Sequence, residues 1–457
     1  MAITAANGVT ETLGSDLPVV LAGMGGVARS ELVAAVTDAG GFGFLGMVRE
    51  PPTLILREVE ALRRRGYGNF GVNIIPASTA PELLESQLAT IIDLHVPAVT
   101  LFWDLDTRVV GRLRDAGITV VYQVGSADEA IAAERAGAEL IIAQGVEAGG
   151  HVRGTTPLRV LLPEIAASVR VPVLAAGGLA TGTDIVAAFA LGAEGVVLGT
   201  ALMATEEAFA HDFHKARLVA ARGADTVLTG AFHINWPPGA PVRVLKSAVT
   251  ARQAEAAART VIGEEEGRPI YLNSTDSPLR SMTGDFAAMA LYAGTGVGEI
   301  AAIEPAAARL RRLVAEAEAQ LAAVRPLALP QSSSAVCYVD EFAGAYTGTL
   351  TAAELAAELA PVAAELAALL RDAPPTDDLR SFPPAALRYA PWLLALGETT
   401  GAVPPRPEPA SARRLVERLG ALLPRMAETP LRQMLLELRL ALDRELRAAP
   451  QPAGALA

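Results

Sequence analysis

The chain carries one cysteine, Cys337, in 457 residues. An internal disulfide is excluded, as is any metal site rich in thiolates, and this usage fits a reducing compartment with the cytoplasm as the expected location. Cys337 sits in CYVDEF with no histidine close in sequence, which reads as a buried structural thiol. Clustered positive charge is missing too. The 38 Lys and Arg are outnumbered by 50 Asp and Glu, giving a net charge of −12, and the charges are scattered. That leaves no electrostatic footprint for nucleic acid or an anionic membrane, so the expected partner is a small molecule. The longest apolar run, Ile185 to Met203, is interrupted by Gly192, Glu194, Gly195 and Gly199, whereas a membrane span needs about 20 consecutive apolar residues. Residues 1–17 contain no Lys or Arg and no continuous apolar core, so no secretory signal is read there. These absences describe a soluble chain, long enough for one large domain and a second module.

What the chain has is a recurring unit. From Leu17 onward, short apolar runs alternate with amphipathic stretches at βα spacing. Strands are expected at 18–24, 41–47, 69–75, 98–103, 119–124, 139–144, 171–177 and 195–199. Helices are expected at 30–39, 51–66, 81–95, 106–116, 126–136, 157–169 and 181–191. Gly117, Gly137 and Gly192 each fall just past a helical pattern, where a left-handed residue ends a helix. Eight successive units predict an α/β fold, a (β/α)8 barrel, with an open doubly wound sheet as the alternative. A barrel builds its site at the C-terminal ends of its strands. Met24, Gly25, Met47, Asn73, Trp103, Asp104, Gln123, Gln144, Gly177 and Gly199 would then ring one mouth, although any single polar residue among them also reads as a strand cap.

The stretch Ala143 to Gly154, AQGVEAGGHVRG, follows the sixth strand and combines four glycines with one histidine. Glycines let a backbone approach a flat ligand, and His151 is the nearby side chain able to exchange a proton near neutral pH. A loop histidine capping a carbonyl is the competing interpretation. After strands seven and eight come AAGGLATG and GVVLGT. A glycine-rich turn entering a helix offers backbone N–H groups to a phosphate, so Gly177, Gly178, Gly199 and Thr200 suit a phosphate-bearing cofactor, unless these are turns required only for packing. His211 and His214 share a helical face but show no further ligand set, so no metal is expected. AGTGVGE at 293–299 lacks the strand context of a dinucleotide loop.

The remainder divides by composition. Residues 1–16 read as an N-terminal tail, 17–227 as the barrel core with a long helix over 204–223, and 228–325 as a lid or substrate region with closing helices. A linker spans 326–350, and 351–457 form a C-terminal helical module.

With these motifs assembled, residues 17 to about 325 resemble the nitronate monooxygenase family, formerly the 2-nitropropane dioxygenases. The likeness rests on PVVLAGMGGVA, GVN, QGVEAGGHVRG, LAAGGLATG with GVVLGT, and GDFAAMALYAGTGVG. It implies an FMN-dependent oxidoreductase of TIM-barrel fold that converts nitronates or nitroalkanes with O2 to a carbonyl compound and nitrite. The flavin would lie between Met24, Asn73 and Gln123 beside Gly150, with its phosphate on Gly177-Gly178 and Gly199-Thr200. His151 matches the family's active-site histidine, and activity should fall as it protonates. Barrels sharing this loop also work as NAD(P)H-dependent reductases of enoyl thioesters or quinones, which is the second expectation. A flavin-binding recruitment module is the third. Residues beyond 330 depart from the family pattern and leave open a homodimer contact, a protein partner or a cap over the site. AFHINWPPG, with His233, Asn235 and Trp236, is expected to shape substrate choice.

Overall fold

A computed structural model describes residues 7–251, 259–323 and Leu419. The chain divides into two units, residues 1–324 and 325–457. The expected linker at 326–350, the helices of 351–457 and Cys337 all lie outside the described residues.

Eight parallel strands close into a barrel: β1 (Val19–Leu21), β2 (Phe42–Gly46), β3 (Gly71–Ile74), β4 (Ala98–Phe102), β5 (Thr119–Val124), β6 (Leu140–Gln144), β8 (Val173–Ala176) and β9 (Gly195–Leu198). A two-residue strand, β7 (Gly150–His151), lies outside the ring, between β6 and β8 in sequence. Closure is made by β9 pairing with β1, Val20 opposite Val197. Both faces of these strands are covered, so their sequences are nearly continuous apolar runs. One set of side chains, including Val20, Phe42, Phe44, Val121, Ile142, Leu174 and Val197, forms a core of its own. A second, larger core joins strand residues such as Val19, Leu21, Leu45, Val72 and Ile141 to the surrounding helices.

The barrel helices follow the expected pattern closely: α2 (Ser30–Asp38), α3 (Pro52–Arg64), α4 (Pro81–Asp93), α5 (Thr107–Asp115), α6 (Ala127–Ala136), α7 (Leu158–Ser168) and α8 (Gly182–Ala190). In α3 the buried residues Leu54, Ile55, Glu58, Val59 and Leu62 fall on one helical face, with Pro52 in the first turn where its missing N–H costs nothing. Buried Glu58 has a task of its own: it accepts from the N and Oγ of Ser30 at 2.9 and 2.7 Å, satisfying donors at the start of α2. Gly117, Gly137 and Gly192 all adopt positive φ at the helix ends where the sequence placed them.

Three stretches differ from expectation. Residues 8–13 are helix α1 (Gly8–Leu13), not tail. Its Val9 and Leu13 join the inner barrel core, and Asn7 and Gly8 bond to Glu194 just ahead of β9, so α1 plugs the N-terminal floor of the barrel. The long helix expected over 204–223 is instead one short helix, α10 (Asp212–Val219), separated by eight residues from α9 (Thr200–Met203) before it. The segment between them is drawn into tertiary pairing: Thr205 bridges Glu304, Ala210 bridges Leu279, and Phe209 N donates to Val27 O at 3.0 Å. The region after the barrel holds two small antiparallel sheets. One orders β10 (Thr226–Thr229), β11 (Val242–Leu245) and β7, and the other orders β13 (Arg268–Tyr271), β12 (Val261–Glu265) and β14 (Met282–Gly284).

The last described helix, α11 (Ala306–Ala323), packs against α8 and α2 through Leu310, Leu313 and Ala317. Its Arg309 is buried and donates to Ala201 O and Ala302 O, both at 2.5 Å, and to Glu304 Oε1 at 2.8 Å. Arg309→Ala strands these acceptors and is expected to destabilise the unit by about 3 kcal/mol, read as a lowered urea midpoint. An unchanged midpoint would show that the bolt is dispensable.

Candidate active site

Nine of the residues singled out from the sequence, Met24, Asn73, Gln123, Gly150, His151, Gly177, Gly178, Gly199 and Thr200, line one cavity of about 500 Å3 together with Gly25 and Gln144, whereas Met47, Trp103 and Asp104, also expected at the mouth, do not line it. It opens where β1, β3, β5, β6, β8 and β9 end, at the C-terminal face of the barrel.

His151 is held from three directions. Its backbone pairs with Val242 of β11. Gln144, at the end of β6, donates from Nε2 to His151 O at 2.8 Å and accepts at Oε1 from Arg153 N at 3.2 Å. Arg243 donates from Nε and Nη2 to Val146 O at 3.0 and 2.8 Å, tying down the near end of the same loop. The Arg153 side chain bonds Glu129 at 2.7 Å and Asp104 at 2.9 Å and lies over the Trp103 ring. Trp103 in turn stands edge-on to both His151 and Trp236.

The imidazole stacks face to face on the Trp236 indole, with ring centroids 3.4 Å apart and planes 9° from parallel. His151 Nε2 and Trp236 Nε1 are buried and have no hydrogen-bond partner among the described residues. Burial disfavours the imidazolium and pushes His151 down to about 3, with the Arg49 charge acting in the same direction. The ring is therefore neutral near pH 7. The expected loss of activity through His151 protonation moves well below the ordinary histidine range. Beside it, the hydroxyl of half-buried Tyr292 donates to Thr275 O at 2.5 Å, and desolvation raises its pKa.

At the other end three glycine-bearing loops meet. Gly177 and Gly178 have φ of +113° and +74°. Gly199 opens α9 without a side-chain cap, and a Cβ built on it would find its nearest neighbours at 3.8 and 3.9 Å, in Ala22 and Met24. The third loop, Gly294 to Gly296, is part of the AGTGVGE segment that sequence pattern set aside as a poor dinucleotide loop. Gly294 N donates to Thr200 Oγ1 at 2.9 Å, Thr295 N donates to Glu147 O at 3.0 Å, and a Cβ on Gly296 would collide with Gly178 O. One expectation changes here. The start of α8 offers nothing to a phosphate, because Asp184 Oδ2 already accepts from Ala180 N and Thr181 N, and Glu316 Oε2 accepts from Gly182 N at 3.1 Å. The available backbone is that of the loops themselves. A cradle of glycines at one end and an aromatic and imidazole wall at the other fits a flat cofactor with a phosphate tail.

Sequence reasoning missed Arg49, Glu50, Arg268, Asp276 and Tyr292, which also line the cavity. They lie at loop positions or in the region after β9, and nothing periodic marks them. His211 and His214 part company: His211 caps α10 by accepting from Phe213 N at 3.1 Å, while buried His214 donates from Nε2 to Tyr292 O at 3.1 Å. Among the described residues no group of three or more His, Cys, Asp or Glu is placed to hold a metal ion, and no helix is long and apolar enough to cross a membrane.

Fold and site together define a (β/α)8-barrel oxidoreductase with a histidine loop after the sixth barrel strand and a glycine cradle after the seventh and eighth. The model of the nitronate monooxygenase family matches residues 79–316. A probable nitronate monooxygenase of Staphylococcus aureus strain MSSA476 is 30% identical over 271 residues, spanning 50% of this chain and 76% of the relative. Among solved structures, FabK of Thermotoga maritima aligns with a TM-score of 0.61 and 29% identity over 70% of this chain and 99% of its own. A nitroalkane oxidase of Streptomyces ansochromogenes aligns with a TM-score of 0.57 and 32% identity, over 70% and 100%. The chain belongs to the nitronate monooxygenase family, and a flavin is the cofactor class that membership implies.

Two outcomes follow. Gly178→Val places a Cβ 3.0 Å from Glu147 Cβ and Thr295 Oγ1 at a positive φ. The variant should purify with less than about half the wild-type flavin per chain, and full occupancy would remove this loop from the cofactor site. His151 and His214, pushed down to about 3 and about 4 by burial, stay neutral when folded. Between pH 6.5 and those values the unfolded chain binds protons that the folded one does not, so stability falls as pH falls. At pH 5 the loss is about 2 kcal/mol for each histidine, at about 1.36 kcal/mol per pH unit. Urea midpoints that match at pH 7 and pH 5 would contradict these pKa shifts.

Proposed function

We propose that this chain binds FMN and oxidises nitronates with O2 to a carbonyl compound and nitrite, without nicotinamide. Gly177, Gly178, Gly199 and Thr200 would take the phosphate of FMN, and Met24, Asn73, Gln123 and Gly150 would border its ring. When bound, FMN supplies the electron acceptor for the oxidation.

The observation that carries this reading is the neutral, buried imidazole of His151 with Nε2 left without a partner. A general base works best with a pKa near the operating pH, and an imidazole held near 3 is a weak one. Proton removal from a neutral nitroalkane is therefore slow, whereas a preformed nitronate arrives without that proton and needs only to be oriented. The strapped loop provides the orientation: Gln144 and β11 fix the backbone of His151, and Trp236 fixes the plane of its ring.

The second reading is an FMN-dependent reductase passing hydride from NAD(P)H to an enoyl thioester or quinone. The FabK likeness, comparable to that of the nitroalkane oxidase, keeps it in view. Enoyl reduction consumes a proton as well as a hydride, and an imidazole that stays unprotonated near pH 7 does not supply one. His151 therefore favours the oxidation.

Flavin-loaded protein in air should release nitrite from propane-2-nitronate with no nicotinamide present. It should turn over neutral 2-nitropropane at least about 100-fold more slowly, within the range ascribed to general-base catalysis. His151→Ala should lower nitrite release from propane-2-nitronate, through loss of orientation, while retaining flavin. Rapid anaerobic bleaching of the flavin by NADH or NADPH, with no response to the nitronate, would establish the reductase instead.

A further inference from the structure

Among the described residues Arg49 is a cation in the cavity wall with no carboxylate at ion-pair distance, although its charge acts on neighbouring Glu50. Its guanidinium donates to two neutral acceptors, Asn235 O at 2.9 Å and Thr275 Oγ1 at 3.3 Å. The three carboxylates lining the cavity are bound elsewhere, Glu50 to Arg29, and Glu265 and Asp276 to Arg268. Arg49 is close enough to His151 and Tyr292 for its charge to act on both.

The backbone around Arg49 is uncommon. Arg49 and Asn235 both occupy the left-handed region, with φ of +59° and +74°, and Trp103 joins them at +81°. Such backbone is uncommon for Arg and Trp, and clusters of it mark switch regions and ligand clamps. Trp236, the next residue after Asn235, is the ring stacked on His151. In that stack His151 Nε2 and Trp236 Nε1 are both closed off and unpartnered. Buried polar groups are normally satisfied, so the stack is a state that a ligand completes.

We propose that Arg49 is the receptor for a small planar oxyanion, the nitronate group of the substrate, and that capturing it releases the Asn235 carbonyl and lifts Trp236 from His151. The nitronate identity rests on the functional reading above; the receptor and the latch rest on Arg49, Asn235 and Trp236. A charged acceptor makes a stronger, bidentate partner for a guanidinium than a backbone carbonyl and a threonine hydroxyl do. A neutral substrate leaves the latch shut. Arg49 thereby sets specificity for anions, and Trp236 keeps solvent from His151 until one is bound.

The test uses full-length, flavin-loaded protein labelled with 5-fluorotryptophan and followed by 19F NMR. The chain has three tryptophans, and loss of one resonance in Trp236→Phe assigns that residue. The probes are isobutyrate, a non-oxidisable isostere of propane-2-nitronate, and isobutyramide, its neutral counterpart. Isobutyrate should move the Trp236 resonance saturably while the amide does not. Arg49→Met should weaken the response at least about tenfold, and Arg49→Lys should retain part of it. An equal response to acid and amide in the wild-type protein, or unchanged isobutyrate affinity in Arg49→Met, overturns the proposal. The first comparison needs no Arg49 variant and decides even if Arg49→Met fails to fold. Nitrite release from propane-2-nitronate on the same sample separates the two ideas. Arg49-dependent binding without nitrite supports the receptor and removes the nitronate reaction; nitrite without an isobutyrate response does the reverse.

Discussion

A two-residue strand fixes the place of the candidate catalytic histidine in this barrel. Gly150 and His151 pair with Arg243 and Val242 of β11, so the loop after the sixth barrel strand is held by a segment roughly 90 residues further along the chain. A free loop with four glycines would sample many conformations, because glycine loses more conformational freedom on ordering than any other residue. Pairing with β11, the Gln144 strap and the Arg243 clasp on Val146 O remove that freedom before a ligand arrives. The sheet outside the barrel is thus part of the active site, and its first task is to set the position of one imidazole.

The same arrangement accounts for the electrostatics. Trp236 and Trp103 come from different parts of the chain and enclose His151 in aromatic surface. Water is displaced, the imidazolium loses its hydration, and the ring remains neutral. Arg49 adds to that bias while making no ion pair with the carboxylates that line the cavity. On the proposed reading, a neutral imidazole beside an available cation suits an anionic substrate better than a neutral acid, so selectivity would follow from burial as much as from shape.

The barrel was legible in the sequence because parallel strands covered on both faces leave continuous apolar runs, and glycines such as Gly137 punctuate them. The nine cavity residues were legible for a related reason: strand ends point to one mouth, so chain position becomes place. Other features left no such trace. β7 is too short for any periodicity, and its partner β11 is remote. Helical pattern over 204–223 lost to the pairing of Thr205 and Ala210 with distant residues. The glycines at 294–296 work by touching Thr200, Glu147 and Gly178, contacts that only the fold creates. Arg49 carries left-handed backbone that residue type argues against, so a sequence reader has no reason to single it out; Trp103, expected at the mouth, shares that backbone without lining the cavity. Local pattern reported the scaffold, while tertiary pairing assembled the site.

The central claim is that this cavity is built around FMN, with its phosphate on the glycine loops that follow the seventh and eighth barrel strands and on Gly294–Gly296. The most direct measurement is to denature the purified protein, separate what it releases by chromatography and quantify it against protein. One FMN per chain is the predicted result. FAD, or no flavin after growth in riboflavin-replete medium, would contradict the account.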